Sequence, residues 1–321
     1  MTVLVLTRPL DATSDLVISE LHERGVPVCR LDPGDFPSCL SFGARIGPGA
    51  GHWAGTLRGQ HRDLTLGEVS AVYYRRPSAF RMHPGMAGGD TRWARAEARA
   101  GFKGLLASLD CRWVNHPSRN AHAEIKPVSL ATAARCGLDV PETLVTNDPA
   151  EAREFVEALP GGTAAYKALG PGGPTTDDGN AHALWTTRVR AEEITDAVGL
   201  TAHLFQQWVP KAYEVRVTAV GRRLFAAEIH AGSDAARIDF RTDYDSLTYR
   251  PCTLPGEVTA GMHWLLDALQ LRYAACDFLV GQDDGRWFLC DVNPNGQWGF
   301  VPELREPITE ALADLLEGKC P

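Results

Sequence analysis

The sequence predicts an α/β (α+β) protein with an open α/β unit at its N-terminus, and three observations carry that expectation. Residues 3–6 are an apolar run, residues 13–24 repeat apolar positions at helical spacing and stop at Gly25, and residues 26–31 are apolar again: strand, helix, strand. Beyond residue 116 come extended runs at 163–169, 182–189 and 202–209, then a hairpin over 213–231 that turns at Gly221-Arg222. Near the C-terminus, residues 276–280 and 287–293 form a second apolar pair joined by Gln282-Asp283-Asp284-Gly285. With 321 residues, 44% of them hydrophobic, the chain can bury a large core, and its length suggests about two domains.

Between these landmarks the elements follow in order. Residues 33–59, rich in Gly and Pro, read as loop, residues 71–76 as a short strand and residues 91–109 as a helix. Residues 113–117 read as a crossing into the next unit, which puts a boundary near residue 116. A helix over 127–136 stopped by Gly137, an extended stretch over 141–146 and a helix opened by Asp148-Pro149-Ala150-Glu151 come next. That opening has an acid at the N-cap, Pro in the first turn and Glu three residues after the cap. Helices near 256–271 and 303–317 complete the chain, and the expected domains are 1–116, 117–208 and 209–321.

Composition removes several function classes. Lys plus Arg number 32 against 40 Asp plus Glu, a net charge of −8, which argues against a general nucleic-acid or anionic-membrane surface. No stretch approaches membrane-spanning length, and the first residues read as a strand rather than a signal peptide. The eight cysteines are scattered, without Cys-x-x-Cys or zinc-spaced His, and read as buried thiols of a cytoplasmic protein. The ten histidines, His116, His122, His182, His203 and His230 among them, show no metal-ligand spacing. Basic charge is local: Arg92, Arg95, Arg99 and Lys103 form a helical stripe that, with Arg75 and Arg76, suits a Glu/Asp-rich peptide, a solvated face being the alternative.

The C-terminal hairpin is the most informative feature. Folding it about Asp284 places Asp277 opposite Asp291, roughly 5 Å apart at Cβ, with Asn293 on the same face. Facing carboxylates repel unless a cation sits between them, and two acids with one amide suit a Mg²⁺ that arrives with a nucleotide. Lys167 is a lone cation in an apolar strand, and the loop at 170–176 after it is glycine-rich enough to approach a phosphate; a flexible surface connection is the equal alternative. The loop fits neither a Walker nor a Rossmann pattern. Residues 204–217 join two strands through a short linker suited to an adenine edge, with the Glu214 carboxylate available to ribose hydroxyls and Arg216 on the same face. Arg237, Asp239 and Arg241 alternate along an extended stretch, a fork able to hold a carboxylate beside a transferring phosphoryl group, or else a plain ion pair.

Taken in order, residues 72–77, 120–126, 136–147, the Lys167 strand, residues 207–216, residues 237–241 and the terminal Asp291-Val292-Asn293-Pro294-Asn295-Gly296-Gln297-Trp298 resemble the ATP-grasp superfamily. Within it they resemble the graspetide (microviridin-type) synthetases, ribosomal-peptide maturases that close side-chain ester or amide rings. The resemblance implies an N-terminal pre-grasp domain followed by central and C-terminal domains that clamp ATP between two sheets. It further implies that Lys126 and Lys167 clamp the phosphates, Gln207, Trp208 and Val209 hold adenine, Glu214 takes the ribose, and Asp277, Asp291 and Asn293 hold Mg²⁺. Arg216, Arg241 and Lys167 would serve catalysis, and Arg75, Arg76, Arg237, Asp239 and Arg241 a precursor peptide with a leader and an acidic core. Asp291 stands where the superfamily usually has Glu, which bears on metal number and affinity. The implied activity is an ADP-forming ligase, with a free-standing peptide or amino-acid ligase, a phosphotransferase and an ATP-binding regulator as rivals, and room for a second copy of the chain as partner.

Overall fold

The computed structural model describes residues 1–60, 62–170 and 185–319. Most of the loop expected at 170–176, the start of the strand expected at 182–189, His182 and Cys320 lie outside the described residues.

The N-terminal unit is the open sheet the sequence predicts. Strands β1 (Thr2–Leu6) and β2 (Val28–Leu31) are parallel and joined by helix α1 (Ala12–Glu23). A small antiparallel meander follows, β3 (Ser41–Arg45), β4 (Ala54–Arg58) and β5 (Asp63–Thr65), its first two strands in the segment read as loop. Its strands are only three to five residues long and β3 and β4 contain glycine, so the few apolar residues they bury, Phe42, Ala44, Leu57 and Leu64, make too short a pattern to mark a strand in the sequence. Strands β6 (Val69–Tyr74) and β7 (Arg112–Val114) complete the parallel order β2-β1-β6-β7. The helix between them is interrupted: α2 (Gly88–Ala98), a π turn over Arg99–Lys103, then α3 (Gly104–Ala107).

Helices α4 (Pro117–Ala123) and α5 (Lys126–Arg135) lead into an antiparallel sheet, β10-β9-β11-β8, of β8 (Thr143–Thr146), β9 (Ala164–Lys167), β10 (Thr187–Val189) and β11 (His203–Gln207). Helix α6 (Pro149–Ala158), capped by the Asp148 carboxylate as expected, covers its outer face through Ala152 and Val156. A five-stranded antiparallel sheet follows, in the order β14-β13-β12-β15-β16. It is built from β12 (Lys211–Val220), β13 (Arg223–Ala231), β14 (Leu247–Cys252), β15 (Tyr273–Gly281) and β16 (Trp287–Asn293). The β12–β13 hairpin turns at Gly221-Arg222, where Gly221 takes the positive φ (57°) of a two-residue connection. Helix α7 (Asp234–Ile238) lies between β13 and β14, and α8 (Gly256–Leu269) packs with α5 on the sheet face away from β9 and β11.

Packing crosses the expected boundaries. The last helix, α9 (Pro302–Glu317), sends Ile308, Leu312 and Leu315 into the core of the first sheet, against Val3, Val5, Tyr73 and Val114. Asn115 ties the same regions together: its amide donates to the Tyr273 and Pro294 carbonyls, and its Oδ1 accepts from the Arg272 and Tyr273 N–H groups.

Arg75 corrects an expectation. Instead of presenting charge to a peptide, it is 1% exposed, because β6 ends at Tyr74 against the segment after β16. Its guanidinium donates to Asn295 Oδ1 (3.1 Å), the Gly296 carbonyl (3.2 Å), Gln297 Oε1 (3.2 Å) and Thr13 Oγ1 (3.2 Å), and the Asn295 amide donates back to the Arg75 carbonyl. Buried charge needs a counter-charge, and Asp11 supplies it. Burial alone would raise the Asp11 carboxyl; hydrogen bonds from Ser14, Thr7 and Thr13, with Arg75 beside them, outweigh it and hold the group well below the usual carboxylate range. A carboxyl depressed on folding stabilises above its unfolded pKa, about 4, and that stability is lost as pH falls through the folded value. Asp11→Asn is therefore expected to lower urea stability by roughly 1–3 kcal/mol at neutral pH, with the gap to the wild type closing below about pH 4.

Candidate functional site

The site begins with one extra residue in a strand. Along β15 and β16 the pairs are Val280 with Trp287, Leu279 with Phe288 and Phe278 with Leu289, but Asp277 pairs with Asp291, so Cys290 is a bulge. Simple folding about Asp284 predicts the acid pair but not this register. Without the bulge Asp277 would face Cys290, and Asp291 would point into the core under the sheet. On the other side Asp277 pairs with Arg216 of β12, so Arg216, Asp277 and Asp291 form a row across three adjacent strands.

Cations close both ends of this row. Arg216 Nε donates to Asp277 Oδ1 (2.6 Å) with a second guanidinium nitrogen 3.3 Å from Oδ2, and Arg216 also donates to the Gln297 carbonyl (2.8 Å). Lys126, the first residue of α5, makes an ion pair with Asp291. Burial raises the Asp277 carboxyl above its usual range despite Arg216, and the neighbouring Asp291 adds to the rise. Burial would raise Asp291 as well, but the charge and hydrogen bond of Lys126, then Lys167 and Arg216, outweigh it and hold Asp291 low. Each acid is paired with a cation, Asp277 through both oxygens and Asp291 through Oδ1, and the two lie opposite each other on adjacent strands, where a bound divalent cation would offset their repulsion. Asn293, two residues on, lines the same cleft and accepts from the Asn295 N–H (3.0 Å). Among the described residues no three carboxylate, imidazole or thiolate groups gather, so a metal here takes two acids, an amide and oxygens of its ligand.

The row faces the four-stranded sheet across a cleft of about 530 Å³, within the usual range of ligand sites. From β9, Lys167 reaches in and donates to Gln206 Oε1 (2.8 Å); Gln206 is itself held by Thr143 (2.9 Å). Gln207, Trp208 and Val209 line the cleft where the chain passes from β11 to β12, with Val209 buried. Glu214 lies beside them, bound to Lys211 (2.6 Å); burial raises its carboxyl, and Lys211 opposes the rise. All these expected residues are thus brought to one cavity.

The 237–241 segment departs from expectation. It is not extended: Arg237 closes α7 and Phe240–Thr242 is a 3-10 turn, so the three side chains do not alternate on one face. Arg237 pairs with Asp234 at 3.9 Å on the exposed side, outside the cleft. Asp239 and Arg241 do line it. Asp239 is 4% exposed, pairs with Arg241 and accepts from the Thr186 N–H (3.1 Å), while Arg241 lies over the Trp185 ring at 5.3 Å. Burial would raise the Asp239 carboxyl, but Arg241 and the backbone donors hold it low. Arg76 is half-buried beside Arg75. Sequence reasoning missed Trp185, Gln206, Lys211 and Glu124. The Glu124 carboxylate lines the cleft with no hydrogen bond or ion pair among the described residues, and burial raises it above the usual range.

The fold has relatives among known proteins. Residues 2–121 match a family model described as the MvdD pre-ATP grasp domain. A Chryseobacterium gregarium RiPP-associated ATP-grasp ligase, solved with ADP and a leader and core peptide, is similar at TM-score 0.91 and 26% identity, over 100% of this chain and 97% of that one. The macrocyclase MdnC of Microcystis aeruginosa, solved with precursor peptide MdnA, is similar at 0.87 and 26%, over 99% and 100%. The ATP-grasp ligase PsnB, solved with minimal precursor, Mg and ADP, shares the fold at 0.75 and 21%, over 98% of each chain. No curated protein matches. The chain has the ATP-grasp fold with an N-terminal pre-grasp domain, and no helix among its described residues is long and apolar enough to cross a membrane.

Two variants test the metal geometry by calorimetry of ATP with and without Mg²⁺. Asp291→Ala is expected to remove magnesium-dependent binding. Gly296→Ala would put a Cβ 2.5 Å from the Ala275 Cβ and 3.3 Å from the Asn293 Cβ, displacing Asn293, and is expected to weaken that binding about 10-fold or more.

Proposed function

We propose that this ADP-forming ATP-grasp ligase activates Asp or Glu side chains of a ribosomal precursor peptide as acyl phosphates and closes ester rings with Thr or Ser, or amide rings with Lys. One observation carries the reading: Arg216, Asp277, Asp291 and Lys126 form a charge row that faces Lys167 across a nucleotide-sized cleft. The peptide substrate is supported by full-length similarity to ligases solved with leader, core and precursor peptides.

In this reading a substrate carboxylate attacks the γ-phosphoryl of ATP and ADP leaves. A hydroxyl or amine then displaces phosphate from the acyl carbon. The chain supplies no nucleophile. Lys126 and Lys167 hold the phosphates, the linker at Gln207, Trp208 and Val209 holds the base, and Glu214 takes the ribose hydroxyls. Asp277, Asp291 and Asn293 would hold Mg²⁺, which when bound neutralises phosphate charge. Arg216 and Arg241 offset charge that develops during transfer. Asp239 orients Arg241 toward the acidic core of the peptide. Glu124, which lines the cleft without a hydrogen bond or ion pair among the described residues, takes the proton of the attacking group. We place the domain limits at 1–116, 117–208 and 209–321, since each of the three larger sheets falls within one of them.

The test is the mass of the product. Given ATP, Mg²⁺ and the peptide of a neighbouring short reading frame rich in Thr or Lys and in Asp or Glu, the chain should yield peptide lighter by one water per ring. A gain of one phosphate would instead make it a phosphotransferase, and no peptide-stimulated phosphate release would make it a regulator. Lys167→Ala is expected to slow ring closure roughly 10²- to 10³-fold with unchanged circular dichroism. Glu124→Gln should lower kcat about 10²-fold with little change in KM.

A further inference from the structure

The pre-grasp unit carries a second cavity that catalysis does not use. It holds about 220 Å³ at the carboxyl ends of β1, β6 and β7, lined by Leu6, Pro33, Tyr74, Leu106, Trp113 and Pro117. Ligands of open parallel sheets bind beyond the carboxyl ends of the strands. The interrupted helix forms one wall, and its π turn over Arg99–Lys103 is a device often found at functional sites.

Gly104 follows that turn and lines the cavity, and no atom stands within 4 Å of the place its Cβ would take. Its backbone is plainly helical (φ −62°, ψ −45°), so the chain conformation does not require glycine, and a larger side chain there would have open space to enter at the cavity wall. Lys103 lies at the rim, its ammonium 5.4 Å from the Phe80 ring centre. Exposed Arg92, Arg95 and Arg99 continue its charge along the helix, while at helical spacing Asp90 and Glu97 fall on the other side. On a chain of net charge −8 this is a local basic face beside an apolar pocket. It adjoins the catalytic cleft through α4, which runs from Pro117 at this cavity to its C-cap Glu124 in the cleft.

We propose that this cavity anchors an apolar side chain of the precursor peptide, of leucine or phenylalanine size, whose acidic neighbours lie along the Arg92, Arg95, Arg99 and Lys103 row. The proposal rests on the peptide-ligase reading for its ligand, but binding tests it without turnover. The probes are fluorescein-labelled acidic peptides with a central Leu or, as control, a central Ala, titrated into the full chain without ATP. The Leu peptide should bind about 10-fold or more tightly. Gly104→Leu should abolish that preference while thermal stability and Mg-ATP affinity stay at wild-type levels, and Arg95→Glu with Arg99→Glu should weaken both peptides.

A photo-leucine version of the probe, cross-linked to the wild-type chain and mapped by mass spectrometry, needs no variant. Cross-links within residues 103–117 support the proposal. Cross-links confined to Trp185 or Ile238 at the cleft, equal binding of the two peptides, or a folded Gly104→Leu chain that keeps the preference would overturn it. Failure to close rings with the preference intact would overturn the ligase reading and leave this site standing.

Discussion

Two carboxylates held face to face are the constraint around which the rest is arranged. Asp277 and Asp291 sit on adjacent strands within a partly buried cleft, where like charges repel more strongly than in water. The fold tolerates them because Arg216 and Lys126 approach from opposite ends of the row. That arrangement is net neutral, and the two acids stay opposite one another on adjacent strands. A divalent cation placed between such acids would offset their repulsion.

The same row depends on contacts from distant parts of the chain. Arg216 is held by the Gln297 carbonyl, and the segment containing Gln297 is fastened to the first sheet by buried Arg75. Asn115 fixes the entry to β15 and the exit from β16. Helix α9 then covers the first sheet from the far end of the sequence. The pre-grasp unit is therefore part of the scaffold that sets the hairpin.

Legibility varied with the kind of physical signal. The opening strand, helix and strand, the Asp148 cap, the Gly221 turn and α8 were readable because periodicity and capping are local. The β3–β5 meander was not, since its strands are half-exposed and glycine-broken, and β14 is an edge strand with proline and polar residues. Arg75 and Arg237 misled for one reason: an arginine's sequence neighbours do not reveal whether its guanidinium meets water or another segment. Trp185 and Glu124 carry no motif of their own and join the cleft only through folding.

The residues that line the main cleft were determined by the sequence itself, because their chemistry is written in residue type and strand alternation: two acids and an amide in a hairpin, lysines in apolar surroundings, a linker between strands. Tertiary structure decided how they meet. The Cys290 bulge puts Asp291 on the face of Asp277, Lys126 reaches it from a helix 165 residues away, and Arg75 becomes a buried clasp. Register, burial and long-range charge pairing arise only when separated segments pack together, and no local pattern encodes them.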